Sequence, residues 1–329
     1  MRPRLLATVA VAVLALTGCT ASSAPEASDD PTVEGDGSWP RTIEHDAGET
    51  DIPEQPTRII SLSPSITGSL LAIGAPLDAT AATTVSPLTD DKGFFTQWAA
   101  EADAADVEVL YTDLTLDLDA VDLFEPDLIV GSVNGRDATL EAYDQLSEIA
   151  PTVLLDYGTV SWQELTTELG EVTGLEDEAA ETISEYDSWI AGQAEGLNLP
   201  EQPVTAAVYM GADGVWAFGE DSPLSQLLNA LGFTYEPAAE EFSTEQAAAN
   251  GVDILSAENA ASGLGEAQTL FLVAMTGGDP VADFAADPLL ANQPAVVSDS
   301  VYSLGTESFR LDYYSAKNTV QIIVDTFTE

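Results

Sequence analysis

The chain has 329 residues, of which 57 are acidic and only 8 are Lys or Arg, so its formal net charge is −49. This balance argues against nucleic-acid binding, which depends on neutralising phosphates with Lys and Arg. A single His and a single Cys exclude most transition-metal sites and leave little for Ser-His-Asp or Cys-His catalysis. The apolar fraction of 45% can form a substantial core, and the length favours two domains.

The first residues are typical of an export signal. Arg2 and Arg4 precede an apolar run over 5–16, which is too short to cross a bilayer core that needs about 20 residues. The run ends in Leu-Thr-Gly-Cys, which resembles the lipobox of bacterial lipoproteins. That resemblance implies a signal peptide over 1–18 and an extracytoplasmic protein anchored to the cell membrane by lipidated Cys19. An ordinary signal peptide with an incidental cysteine is the alternative.

Residues 19–38 differ in composition from the rest of the chain. They are mainly Ser, Ala, Pro, Asp, Glu and Gly, a mixture with too little apolar content to bury a core. We therefore expect a flexible acidic tether, followed by folded sequence that starts near Trp39.

Residues 39–160 show the pattern of an α/β lobe. Short apolar runs alternate with helical stretches, and turn residues separate them. The order strand, loop, helix, strand indicates a parallel sheet. The predicted elements are strand 58–63, helix 65–73, strand 124–131, helix 139–149 and strand 152–155.

Residues 161–200 are predicted to be helical throughout. Apolar residues recur at spacings of three and four, which indicates one apolar stripe on a long helix, or on two helices that break at a central glycine. Two matches to the capping box, Ser161 with Glu164 and Thr173 with Glu176, favour two helices. We expect the stripe to pack in the core, and a partner-binding face is the alternative.

The α/β pattern restarts at residue 201 and continues to residue 329, which predicts a second lobe. Two such lobes on either side of a helical segment place a cleft between them, where ligands commonly bind. The predicted elements are strand 204–209, helix 224–231, strand 252–255, strand 269–275, strand 296–304 and helix 315–327.

Several motifs resemble those of the substrate-binding proteins of ATP-driven importers for iron-siderophores, haem and cobalamin. They include Arg58 to Pro64, Pro126 to Ile129 and Ile149 to Val153. Within that class the chain is most similar to the ferric-enterobactin-binding branch, through Trp39-Pro-Arg41 and above all through the stretch Leu304 to Ala316. The resemblance covers nearly all of the chain after the tether.

The resemblance implies a class III periplasmic-binding-protein fold, in which two Rossmann-like lobes are joined by a long interdomain helix. It also implies a monomer that binds a ferric siderophore of catecholate type and delivers it to a membrane permease driven by an ATPase. Such a protein performs no chemistry and needs no cofactor. The siderophore chelates the iron, so no protein metal ligands are expected.

Ferric enterobactin is a trianion of three catecholates around one Fe(III), and arginine suits it because the guanidinium is charged and flat. The resemblance implies a ligand contact at Arg310, with an ion pair to Asp312 or another acid as the alternative. Arg136 follows a predicted strand end, where ligands of parallel sheets bind, and pairing with Asp137 is its alternative. Trp216 matches a Trp-bearing loop of the branch, where it would stack on a catechol or anchor the loop.

Ser63, Ser65 and Thr84 are expected at the ends of strands of the first lobe, on the cleft side. Their hydroxyl groups are candidate hydrogen-bond donors to the ligand, and helix capping is the structural alternative. The branch carries an arginine where Thr96 stands here, so one cation is missing. We hypothesise that Arg136 restores this charge.

Other functions remain open from the sequence. The same fold could bind a hydroxamate siderophore, haem or cobalamin instead. A tethered extracellular hydrolase that uses a pair of carboxylates is an alternative of another class, since acids are abundant. A binding-protein-like domain that serves only as a sensor or adhesion module is a further alternative.

Overall fold

The structure is a computed structural model that describes residues 39–242, 251–275 and 278–328. The predicted signal peptide, the predicted tether and Cys19 all lie outside the described residues. Within the described ranges, none of the helices combines the length and the apolar content needed to cross a bilayer.

The first lobe contains an antiparallel hairpin followed by a parallel five-stranded sheet with its helices. Its elements are β1 (Arg41–His45), β2 (Gly48–Ile52), β3 (Ile59–Ser61), α1 (Pro64–Ala72), β4 (Leu77–Thr80), α2 (Ala99–Ala104), β5 (Glu108–Val109), α3 (Leu118–Leu123), β6 (Leu128–Ser132), α4 (Tyr143–Ser147) and β7 (Thr152–Leu155). The strand order is β5-β4-β3-β6-β7. Every residue of β3, β6 and β7 is buried, as expected for parallel strands covered on both faces.

Two helices connect the lobes, α5 (Trp162–Thr173) and α6 (Glu176–Ala194). The 19 residues of α6 span about 28 Å at 1.5 Å per residue. Ala179 near its start packs in the core of the first lobe, whereas Ile190 near its end packs in the core of the second. The predicted apolar stripe is therefore core, and α6 is the rigid link between the lobes.

The capping-box predictions for these helices had opposite outcomes. Ser161 and Glu164 form the reciprocal cap that starts α5, as predicted. The predicted box of Thr173 and Glu176 is wrong. Thr173 still belongs to α5, and its hydroxyl donates to the Leu169 carbonyl oxygen at 2.7 Å, so it cannot cap the next helix.

The second lobe contains a mixed five-stranded sheet. Its elements are β8 (Val204–Tyr209), β9 (Val215–Phe218), α7 (Pro223–Ala230), β10 (Val252–Leu255), α8 (Ala257–Gly263), β11 (Thr269–Leu272), α9 (Pro280–Ala286), α10 (Pro294–Val297), β12 (Val301–Ser303) and α11 (Tyr313–Phe327). The strand order is β10-β9-β8-β11-β12, with β8, β11 and β12 parallel and β9 antiparallel to both of its neighbours. The described part of the chain is therefore an α/β protein with two five-stranded sheets joined by helices, and the β1-β2 hairpin is a third, two-stranded sheet.

Several predicted elements differ from the structure in extent. The predicted strand 124–131, for example, spans Leu128–Ser132. The predicted helix 139–149 begins as a 3-10 turn at Leu140–Ala142, and only Tyr143–Ser147 is α-helical. The predicted strand 269–275 ends at Leu272. The predicted strand 296–304 is wrong over its first half, because Pro294 at the first turn favours a helix through Val297 before β12 begins.

Candidate ligand-binding site

A cleft of about 330 Å³ lies between the lobes. First-lobe residues enter it from the region beyond the carboxyl ends of β3 and β7, where ligands of open α/β sheets bind. Most of its lining is apolar or aromatic, and Arg310 supplies the positive charge. The lining includes Ser65, Phe95, Gln97, Tyr157, Trp162, Leu165, Trp216, Phe218, Ile254, Met275, Phe309, Arg310 and Asp312.

Arg310 lines the cleft and lies near one aromatic ring of each lobe. Its guanidinium carbon is 4.9 Å from the centre of the Tyr157 ring and 5.8 Å from that of Phe309. Among the described residues, no carboxylate forms an ion pair with it. The predicted alternative, a pair with Asp312, is not formed, because that carboxylate caps α11 through the Ser315 N–H at 2.8 Å.

Tyr157, which the sequence analysis missed, is held by a buried carboxylate. Its hydroxyl donates to Asp137 Oδ1 at 2.6 Å, and the hydroxyl of Ser63 donates to Asp137 Oδ2. Burial and the nearby Asp137 charge raise the pKa of Tyr157 to about 12, although Arg310 opposes the shift. The phenol therefore remains a neutral donor at physiological pH.

Trp216 is half-buried and lines the cleft, but it lies on β9 rather than on the predicted loop. Its ring is 6.4 Å from that of Phe309, which is in turn 6.0 Å from Phe218. Phe95 and Tyr157 line the opposite, first-lobe side. Both walls of the cleft thus present flat aromatic surfaces, with which catechol rings can stack.

The structure separates the other predicted contacts. Ser65 lines the cleft, whereas Ser63 is fully buried beneath it and is engaged by Asp137. Thr84 donates to Asp113 at 2.8 Å and lies outside the lining. Arg136 is exposed next to Asp137 and also lies outside the lining.

Four further cations lie away from the cleft. Arg41 pairs with Glu176 at 2.5 Å, and Arg58 pairs with Asp78 at 3.1 Å. Lys92 pairs with Asp103. Lys317 lies 4.9 Å from the Tyr313 ring and 5.4 Å from the Trp189 ring. None of the four lines the cleft, so they do not add to its charge.

A polar contact region joins the lobes beside the cleft. Thr96, where the branch carries an arginine, donates to Glu307 at 2.9 Å across the lobes. Asp312 is 5% exposed and lies 3.5 Å from the Gln97 amide nitrogen. Burial raises its pKa, although hydrogen bonds from Ser315 oppose the shift. A side chain at Gly68 would overlap the Asp312 carboxylate, so this glycine lets α1 approach the start of α11.

The geometry can be compared with known proteins. A family model described as periplasmic binding protein matches residues 59–307, which is most of the chain. The chain belongs to the periplasmic binding protein family. This family consists of extracytoplasmic binding proteins for transport, and the α/β fold of the described residues agrees with it.

Relatives within the periplasmic binding protein family agree with this assignment. The ferric enterobactin-binding periplasmic protein FepB of Escherichia coli O6:H1 is 45% identical over 284 residues, or 84% of this chain and 88% of that protein. The probable siderophore-binding lipoprotein YfiY of Bacillus subtilis is 26% identical over 68% of this chain and 64% of its own length. The crystal structure of holo-ViuP superimposes with a TM-score of 0.80 at 34% identity, covering 89% of this chain and 96% of that one.

Proposed function

We propose that this periplasmic binding protein captures a ferric siderophore with catecholate groups and delivers it to a membrane permease driven by an ATPase. The observation that carries the proposal is Arg310, a cation that lies over the Tyr157 ring in the cleft, near Phe309, and is not paired with a described carboxylate. Such a group offers charge-assisted hydrogen bonds to catecholate oxygens, while the rings accept the catechols. The 45% identity to a ferric enterobactin-binding protein supports the same ligand class.

The proposal includes the absence of turnover. Asp312 is the carboxylate in the cleft lining, and it is engaged in the cap of α11. A glycosidase-type mechanism needs two carboxyl groups that flank the scissile bond. No second acid of the described residues lines the cleft, so the hydrolase alternative has no support from this site.

A titration of the full chain in mild detergent tests the function. The five tryptophans give an emission signal, and Trp216 and Trp162 line the cleft. We expect saturable quenching by ferric enterobactin at sub-micromolar concentration, and weaker quenching by a neutral ferric trihydroxamate. Iron-free enterobactin and free ferric citrate are the controls. Binding of the trihydroxamate, haem or cobalamin in preference to the catecholate would contradict the proposed ligand class.

We also propose that Cys19 carries the lipid that holds the protein at the membrane. The support is the Leu-Thr-Gly-Cys sequence at the end of the apolar run. Expression of the chain and of a Cys19→Ser variant in a bacterial host, followed by detergent phase partitioning, tests this. The native chain should enter the detergent phase, and mass spectrometry should find acyl chains on an N-terminal Cys19. A native chain without acyl groups on Cys19 would refute the anchor, whatever the partitioning, because the Cys19→Ser variant can retain the apolar run 5–16.

A further inference from the structure

The position of Arg310 raises the question of what holds it. The chain carries 57 acids, yet the described ones leave this guanidinium unpaired while Asp312 and Asp137 lie nearby. Its contacts are with aromatic faces instead, Tyr157 of the first lobe and Phe309 of the second. Stacking engages the flat face of a guanidinium and leaves the N–H groups at its edge available to an anion.

The Tyr157 ring is fixed by groups beneath the cleft. Asp137 is 6% exposed, and its two oxygens accept hydrogen bonds from Tyr157 and Ser63. Those bonds occupy a carboxylate that would otherwise be a strong partner for a nearby arginine. Asp137 is therefore engaged with Tyr157 and Ser63, and it forms no ion pair with Arg310.

The loop before Asp137 is shaped to fit this tyrosine. Gly135 has φ of +80°, a conformation that side chains disfavour. A Cβ there would overlap the Tyr157 hydroxyl oxygen. The loop backbone thus packs directly against the group that Asp137 holds, which leaves the ring little freedom to move.

We propose that Tyr157 and Asp137 are positioning residues for anion binding: Asp137 fixes the Tyr157 ring, and the ring holds Arg310 in the cleft with its donors available. The inference rests on the proposed function for its ligand, but the placement of Arg310 can be measured without one. Because Tyr157 and Arg310 belong to different lobes, the stack also makes the anion site depend on both.

A double-mutant cycle tests the positioning role in the full chain. Tyr157→Leu should weaken ferric enterobactin up to about fivefold, the loss expected for a cation–π contact of an exposed arginine, and should change a neutral ferric trihydroxamate less than twofold. In an Arg310→Gln background, the same Tyr157→Leu change should have little further effect. Additive losses would overturn the proposal, because Tyr157 would then act directly on the ligand.

Matched variants separate the ring from its hydroxyl. Tyr143→Leu removes a half-buried tyrosine of the same lobe that packs on His45 outside the cleft, and should leave binding unchanged. Tyr157→Phe keeps the ring but loses the bond to Asp137, and should weaken ferric enterobactin about threefold. An affinity equal to that of the native protein would refute the role of Asp137, and this variant also serves if Tyr157→Leu does not fold.

A ligand-free readout distinguishes failure of this inference from failure of the proposed function. The Arg310 Nε–H resonance should be shifted upfield by the ring current of Tyr157, and should move downfield in Tyr157→Leu but not in Tyr143→Leu. An unchanged resonance refutes the positioning role even if ferric enterobactin binds. A shifted resonance in a protein that binds neither probe supports the positioning role and refutes the proposed ligand.

Discussion

Replacing Arg310 by glutamine removes the positive charge of the cleft lining and keeps a polar but shorter side chain. The guanidinium has no ion pair with a described carboxylate, so the free protein loses little, and the loss falls on the complex. A unit charge 4 Å from the guanidinium at an effective dielectric constant of 20 gains roughly 4 kcal/mol. Because Arg310 is exposed to water, we expect at most about half of this, roughly 2 kcal/mol, or up to about a thirtyfold weaker ferric enterobactin complex.

The assay is tryptophan emission at a fixed salt concentration. The control is a substitution that changes the net charge of the protein by the same amount. Lys92→Gln removes a cation that pairs with Asp103 outside the cleft, and should alter the affinity less than twofold. The neutral ferric trihydroxamate should bind Arg310→Gln and the native protein alike. Equal losses from both substitutions would refute the reasoning, because they would show that the overall charge governs affinity and not the charge in the cleft.

Three other predictions concern the cleft, the lobe contact and the hairpin. Trp216→Ala should weaken ferric enterobactin by roughly 1 kcal/mol through lost stacking, measured by calorimetry because an emission reporter is lost; an unchanged affinity would make Trp216 only a strand anchor. Gly68→Ala should lower the free energy of unfolding by about 1–3 kcal/mol through overlap with Asp312, whereas Gly192→Ala in α6, with open space around it, should raise it slightly. Burial lowers the pKa of His45 below 6.5 in the folded protein. The unfolded chain therefore binds more protons than the folded protein between the two pKa values. The free energy of unfolding should fall as the pH drops through 6.5 toward the folded-state pKa. His45→Gln should flatten this part of the unfolding profile, and an unchanged slope would exclude His45 as its source.

Much of the fold could be predicted because the spacing of apolar residues indicates helices and strands, and turn residues indicate where they end. The strands 152–155, 204–209 and 252–255 were predicted with the bounds that the structure shows. The errors fall where local signals compete. The Val-rich segment after Pro294 has strand propensity, but a proline at the first turn and its position beside β11 make it helical.

The candidate site was predictable only in part. Arg310 and Trp216 were found because they lie in stretches that resemble known binding proteins, and the structure brings both to one cleft. Tyr157 carries no such signal beyond its position just after a buried strand. Its role depends on Asp137, which is twenty residues away in sequence, and the local spacing of residue types does not indicate a contact over that distance. Whether Arg136 replaces the charge missing at Thr96 stays a prediction.

The contact of Gly68 and Gln97 with Asp312 has a consequence for protein engineering. The two lobes are not interchangeable modules, because a first-lobe glycine and amide fit around a second-lobe carboxylate. Consider a chimera in which the first lobe carries a larger residue at position 68 and the second lobe is the one described here. The larger side chain would overlap the buried Asp312 carboxylate, so the contact between the two lobes would have to separate. Chimeras of relatives should therefore fold when both parents carry Gly68, Gln97 and Asp312, and libraries of exchanged lobes should keep these three residues together.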